Sequence, residues 1–393
     1  MHRFMSLLAL MLAAPVALAQ PVEQGPKNVP GFDPEWPTQT RAPETLSGVE
    51  MQVEVLASGL SHPWGMAVLP DGSYLVTERD GRLRMILNGV VQPPIKGVPD
   101  VLAKGQGGLL DVALAPDFAT SRMIFLTYAK PMSRGRNATA AARAVLSLDG
   151  TEITGLTDIF VQDPPSTKAT HFGSRIVLDG IHAYITTGEH FTRSQRKYAQ
   201  DVDKTYGKVV RVTLDGTAPS DNPFAAQGPV AATVWSLGHR NVQGAAIRPA
   251  TGELWTLEHG PKGGDELNRI EKGANFGWPI VSYGENYNGR SVGSGIAVAE
   301  GMTAPRYYWD PVIAPGGFTF YQGEMFGDWQ GDVLAASLNP GGLVRLILDG
   351  DTVVGEERFM SGDRRIRDVE IDHDGAILLL DDGEGAVLRL TPK

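Results

Sequence analysis

The sequence predicts an all-β, six-bladed β-propeller with long loops on one face, and three observations carry that reading. Strand-like runs joined by tight turns begin near residue 51, helical periodicity is scarce, and the same turn grammar recurs to the C-terminus. The recurring units have a mean length of about 57 residues, a period expected of propeller blades built from short strands. Asp-Gly between β-rich runs is a strong hairpin signal, because glycine takes positive φ with no Cβ to clash.

The units follow one another along the chain. "GMAVLPDGSYLVTERDGRLRMIL" (65–87) is an apolar run, an Asp-Gly turn, an alternating run and a second Asp-Gly turn. Comparable turn points fall at "APDF" (115–118), "VLDGIHAYITT" (177–187), "RPATGELWTLEHG" (248–260) and "DWQGDVLAAS" (328–337). "RDVEIDHDGAILLLDDGEGAVLRLT" (367–391) closes the series. Uneven spacing predicts long loops at 129–170, 188–206 and 260–310, and such loops tend to carry the site. A seventh blade stays open if 260–310 holds a strand group. No linker-like stretch interrupts the chain beyond residue 50, so residues 51–393 read as one propeller domain.

The first residues, 1–19, read as a secretory signal: Arg3, an apolar stretch from Phe4 to Val16, then Ala17-Leu18-Ala19 before Gln20. Cleavage at Ala19–Gln20 would deliver the chain to the periplasm. No cysteine is present, so no disulfide and no lipid-modified cysteine is expected. No other stretch has the length for a membrane span. Residues 20–50, rich in proline and polar side chains, read as a loosely held lead-in. With 35 Lys and Arg against 45 Asp and Glu, the net charge of −10 argues against nucleic acid or anionic membrane as partners.

Taken singly, the polar candidates each have a bland reading beside a sharper one. Gln106, in "GQGGLLDVAL" (105–114), is either part of a loop feeding a strand or an amide aimed into a cavity. His171, four residues before Arg175 in "THFGSRIVLDG", is either a structural hydrogen-bonder or a base facing a cleft. "GHRNVQG" (238–244) sets Arg240 and Asn241 between glycines, more than a plain turn needs, with His239 beside them. "EHGPKGGDELNRI" (258–270) is either a solvated acidic turn or a source of carbonyls and a carboxylate for a hard cation such as Ca²⁺. Arg365 and Arg367, two apart in "DRRIRDVEI", share one face of a strand. They serve either surface ion pairs or a ligand with several carboxylates. The nucleotide-binding patterns, the zinc-protease His-Glu-x-x-His pattern and the serine nucleophile elbow are missing from the sequence.

Read together and in order, "HPWGMAVLPDG", "GQGGLLDVALAPDF", "HFGSR", "GHRNVQG", "EHGPKGGDELN…GANFGWP", "IAPGG" and "RIRDVEIDHDG" resemble the soluble PQQ-dependent aldose sugar dehydrogenases. These are the glucose/sorbosone dehydrogenase family of six-bladed propellers, and the likeness runs from about residue 52 to 391. The resemblance implies pyrroloquinoline quinone (PQQ), with three carboxylates and an ortho-quinone, on the top face over Ca²⁺. It implies His171 as the base for the sugar C1 hydroxyl, hydride transfer to the quinone C5, and Arg240 beside the quinone oxygen. Gln106 and Asn241 would hydrogen-bond cofactor and substrate, and Arg365 and Arg367 would pair with the cofactor carboxylates. Gly260 and Pro261 would offer carbonyls to the catalytic Ca²⁺. The Glu266 side chain with carbonyls of Phe276 and Tyr287 would hold a second, structural ion.

Two departures from the glucose-specific members stand out. Asn339 occupies the place of a lysine, so one cation is missing or comes from elsewhere, for which Lys168, Lys204 and Lys208 are candidates. Thr170 replaces an aspartate before His171, which leaves the imidazole to be oriented by another partner. Alternative readings are a Ca²⁺-dependent propeller hydrolase of lactonase type and a non-catalytic binding propeller. The expected partners are an aldose and an electron acceptor that the sequence does not specify; monomer and homodimer stay open.

Overall fold

The computed structural model describes residues 20–393, so the signal reading of 1–19 lies outside the described residues. The chain folds into six four-stranded antiparallel sheets. Each begins with an inner strand: Pro63–Val68, Leu109–Leu114, Gly173–Leu178, Val242–Ile247, Pro315–Phe320 and Ile366–Ile371. Each inner strand neighbours the next, and the last returns to the first, so the sheets form a closed ring of six blades. Met51–Ser58 closes it by pairing with Ala386–Pro392 as the outer strand of the sixth blade.

All six turn points read from the sequence fall between the first and second strands of successive blades. Second strands such as Tyr74–Glu78, Leu254–Glu258, Val333–Ser337 and Ile377–Asp381 are buried along their whole length. A blade is covered on both faces by its neighbours, which explains apolar runs instead of clean alternation. Among the described residues no helix is long and apolar enough to cross a membrane.

Two loop readings change. Residues 129–170 are largely strand, because Met123–Met132, Arg136–Leu146 and Ile153–Val161 make the long outer strands of the second blade. The wide spacing of turn points here comes from strands of 10, 11 and 9 residues and not from a long loop. The 260–310 region adds no seventh blade. It supplies the third and fourth strands of blade four, Asp265–Arg269 and Tyr307–Trp309, with a long excursion between them. Residues 188–206 form the expected loop, with one short 3-10 turn at Arg196–Gln200.

The inner strands carry the device that positions a site. Each shows a register shift near its start, between Pro63 and Met66, Leu109 and Val112, Gly173 and Ile176, Val242 and Gly244, Pro315 and Phe318, and Ile366 and Asp368. Bulges of this kind re-aim side chains. Here they turn Asp111, Arg175 and Asp368 together in the core. Threonines on second strands sew the blades: Thr127 Oγ1 accepts from the Asp111 N–H (2.9 Å) and donates to the Ser174 carbonyl of the next blade (2.7 Å). Thr186 does the same between the Arg175 N–H and the Val242 carbonyl, both at 2.8 Å.

Residues 20–50 are not loose. The Asp310 carboxylate accepts from the Asn28 and Val29 N–H groups at 2.7 and 2.8 Å, and Gln39, Thr40 and Ala42 are buried against blade four. Composition alone hides this, because the strap is held by contacts far along the chain: besides Asp310, Gln39 donates to the Pro305 carbonyl, the Ala42 N–H to the Tyr307 hydroxyl and the Thr45 N–H to the Glu356 carbonyl. Asp310→Ala is expected to cost about 1–3 kcal/mol and to expose 20–50 to limited proteolysis ahead of the propeller. An unchanged cleavage pattern would show that the contacts of Gln39, Ala42 and Thr45 suffice without Asp310.

Candidate active site at one end of the propeller

At the end of the ring where the inner strands begin lies a cavity of about 180 Å³, lined by Trp64, Arg79, Gln106, His171, Arg240, Asn241, Gln243, His259, Tyr287, Leu338, Arg365 and Arg367. The structure therefore brings all six candidate catalytic and cofactor-binding residues to one space.

His171 stands at the entry to the third inner strand with φ of 44°, a left-handed conformation that a non-glycine residue holds only under constraint. Two side chains supply the constraint. Gln106 Oε1 accepts the His171 backbone N–H at 2.7 Å, and Asn241 Oδ1 accepts the Gly173 N–H at 3.0 Å. The Gly188 α-carbon packs against this turn; a Cβ there would collide with the His171 carbonyl. Imidazole Nδ1 bonds Glu189 Oε1 at 2.8 Å, while among the described residues Nε2 has no hydrogen-bond partner. Burial and then Arg240 push the His171 pKa well below its ordinary value, so the ring is neutral at pH 7. Burial raises the Glu189 carboxyl to about 7 against the pull of Arg240.

The wall opposite is cationic. Arg240 is buried, with Nη1 donating to the His259 carbonyl at 2.8 Å and with Nε and Nη2 unpartnered. Arg367 Nη1 donates to Gln243 Oε1 at 2.8 Å, and its Nε is unpartnered. Burial, reinforced by Arg365, Arg79 and Arg175 against the single favourable Asp382, lowers the Arg367 guanidinium to about 10. Arg365 Nε pairs with Asp382 at 2.9 Å and Nη1 reaches the Leu338 carbonyl at 3.2 Å. Buried cations with spare donors are costly unless an anion meets them, so the cavity fits a ligand with several carboxylates.

The other candidates are placed apart. His239 is fully buried, with Nδ1 on Glu258 (2.8 Å), Nε2 on Ser236 (2.9 Å) and its face stacked on Phe276; both nitrogens are occupied by structure. Lys208 is also buried, its ammonium donating to the carbonyls of Tyr198, Ala199 and Tyr206. Lys204 pairs with Asp203 and Lys168 is exposed. None of these lysines lines the cavity; the additional cation there is Arg79.

Gly260, Pro261, Glu266 and Phe276 line one internal void of about 10 Å³ with Glu258, but Tyr287 does not. Tyr287 is 64% exposed and lines the arginine cavity instead. Glu258 is committed, accepting from His239, Asn268 and the Arg240 N–H, whereas Glu266 receives only a 3.3 Å contact from Asn268. Glu266 lies deep in the fold with part of its surface on the void, and burial together with Glu258 raises its pKa well above the ordinary value. A carboxylate so placed fits a hard cation. Among the described residues no three His, Cys, Asp or Glu side chains converge as a cage, so backbone oxygens would have to complete the shell.

Sequence reading missed Glu189, Arg79, Gln243 and His259. "GEHF" at 188–191 follows a strand and looks like an ordinary polar turn; only the pairing of blade loops shows that it faces residue 171.

Comparison with known proteins agrees with this geometry. The family model described as Glucose / Sorbosone dehydrogenase matches residues 60–389. Aldose sugar dehydrogenase YliI of Escherichia coli (strain K12) is 41% identical over 359 residues, 90% of this chain and 94% of that protein. The crystal structure of the soluble aldose sugar dehydrogenase (Asd) from Escherichia coli in its apo form superposes with a TM-score of 0.83 at 41% identity, covering 88% of this chain and 100% of that one. The PQQ-bound form of aldose sugar dehydrogenase (Adh) from Streptomyces coelicolor gives a TM-score of 0.69 at 28% identity over 88% and 99%.

Proposed function

This chain belongs to the glucose/sorbosone dehydrogenase family, and from that premise we propose that it oxidises aldoses at C1 to lactones with PQQ and Ca²⁺. The observation that carries the proposal is His171: a neutral imidazole with Nδ1 on Glu189 and Nε2 free, in a cavity rimmed by four arginines. When bound, PQQ supplies the two-electron acceptor and Ca²⁺ polarises it.

The chain's own residues supply the rest. Nδ1–H donates to the Glu189 carboxylate, which holds the tautomer whose Nε2 lone pair can take the C1 hydroxyl proton. The same carboxylate offsets the imidazolium that results. Gln106 and Asn241 hold the backbone turn that aims the ring. Arg240, with two spare donors, would stabilise negative charge growing beside it. Arg79, Arg365 and Arg367 would bind the cofactor carboxylates, Arg79 taking the place of the missing lysine. Gly260 and Pro261 would give carbonyls to Ca²⁺, and Glu266 with Phe276 would hold a second ion. The segment 1–19 would route the protein to the periplasm.

Reconstitution is the test. Purified protein with PQQ and Ca²⁺ should reduce an artificial dye at the expense of aldoses, and chelation should suppress the rate. No PQQ binding and no dye reduction across a broad aldose panel would falsify the assignment.

A further inference from the structure

Beside the arginine cavity lies a wider cleft of about 540 Å³, walled by Phe191, Arg193, Arg196, Trp278, Tyr287 and Arg290 among others. Arg240 and Tyr287 border both spaces, so the cleft opens onto the place where His171 acts. Its lining includes four guanidiniums, counting Arg240, against one carboxylate, Glu189, which His171 already engages. Among the described residues Arg193, Arg196 and Arg290 have no carboxylate partner; Arg196 bonds the neutral Asn286 amide at 3.1 Å and lies 5.6 Å from the Trp278 ring centre.

This is unusual in a chain with ten more acidic than basic residues (45 against 35). Many arginines elsewhere are matched, as Arg345 is by Asp332 and Glu357, or Arg82 and Arg84 by Glu78, and what sets the cleft apart is that its unmatched arginines share one concavity. Unmatched like charges around one concavity raise its potential and recruit anions, and the guanidinium fork suits carboxylate. The aromatic walls suit sugar rings. Phe191 and Tyr287 are 53% and 64% exposed and meet edge to face at 6.1 Å. Phe191 also follows His190 in a pair of left-handed residues with φ of 58° and 51°, a strain that holds an apolar ring towards solvent.

We propose that this cleft binds the acidic portion of a uronic-acid oligosaccharide whose reducing-end C1 is presented to His171. The volume lies in the range of sites that enclose a ligand larger than one hexose. The proposal rests on the dehydrogenase reading for its chemistry, not for its binding.

The test compares α-1,4-linked trigalacturonate with its fully methyl-esterified form, which keeps the shape and removes the charge. With PQQ-loaded protein and dye acceptor at low salt, the acid should show kcat/KM higher by about tenfold or more. The gap should narrow as salt screens the exposed arginines. Replacing Arg193→Gln with Arg290→Gln should bring the ratio towards one through KM. Calorimetric binding of both trimers to the same protein reads the cleft without turnover. Equal affinity and equal kcat/KM for acid and ester, in protein that oxidises glucose, would overturn the cleft assignment and leave the dehydrogenase standing. Arginine-dependent preference for the acid in calorimetry, with no aldose oxidised, would support the cleft and remove the dehydrogenase.

Discussion

A His171→Ala variant is expected to lose turnover by about 10²–10⁴-fold while retaining PQQ binding, because the arginines that would hold the cofactor do not depend on the imidazole. Dye reduction and a PQQ titration on the same preparation separate the two effects. Activity above a tenth of the parent would remove His171 from the base role. The pH profile of the parent enzyme adds a second readout. Burial holds the His171 pKa well below neutrality, so protonation of its ring does not limit the rate near pH 7. Glu189 does, since its carboxyl is raised to about 7. Above that value the carboxylate accepts Nδ1–H and leaves Nε2 free; below it the carboxyl donates to Nδ1, and the proton moves to Nε2, where the base is needed. The kcat/KM should therefore rise with pH through about 7 and level off. In Glu189→Gln the limb should move away from 7 and the plateau should fall, with cofactor affinity largely kept. A limb still at 7 in that variant would assign the titration to another group.

How much of this was legible in the chain depends on the range of the interaction involved. The six inner hairpins were readable because tight turns between apolar runs are local backbone requirements, most plainly the Asp-Gly turns at Asp71-Gly72 and Asp374-Gly375, where glycine φ is 80° and 90°. The convergence of Gln106, His171, Arg240 and Arg367 followed from motif order through the family resemblance, and the structure brings them to one cavity. Glu189 stayed hidden because its meaning is a contact across a loop, not a spacing. Arg79 was hidden in the same way: it follows a second strand and looks like one more turn charge after Glu78. Residues 20–50 were misread because Pro-rich composition is shared by disordered tails and by straps that lie along a sheet. Tyr287 was grouped with Glu266 through the family resemblance; in the structure it lines the arginine cavity while Glu266 lines a separate void.

Arg175 was noted in the sequence only as a neighbour of His171, yet an Arg175→Met variant should show the largest loss of stability in the molecule. Its side chain belongs to blade three, and Nη1 donates to Asp111 of blade two at 2.8 Å and to Asp368 of blade six at 3.1 Å. Nε donates to the Gln243 carbonyl of blade four at 3.1 Å, and the guanidinium lies 4.7 Å from the Trp64 ring centre of blade one. Blade five contributes space: a Cβ at Gly317 would collide with the Asp368 carboxylate and crowd Arg175. All six blades thus meet at one buried cation, below the cavity where His171 stands. Removing it leaves two carboxylates in the core without a counter-charge, a change that costs about 3–5 kcal/mol. The sign of the pH dependence follows from the same groups. Burial already pushes the Asp111 and Asp368 carboxyls above their ordinary values against the pull of Arg175, with Asp368 adding to the rise at Asp111, and loss of the arginine pushes both further. Their folded-state pKa values then exceed the unfolded ones, so the folded state binds more protons and stability falls as pH rises. Urea unfolding should accordingly show a larger deficit for Arg175→Met at pH 8 than at pH 5. Adding Asp111→Asn and Asp368→Asn should recover most of the loss and flatten that dependence, since the neutral amides no longer need the cation. A triple variant as unstable as the single one would mean that packing against Trp64, and not charge, is what Arg175 contributes.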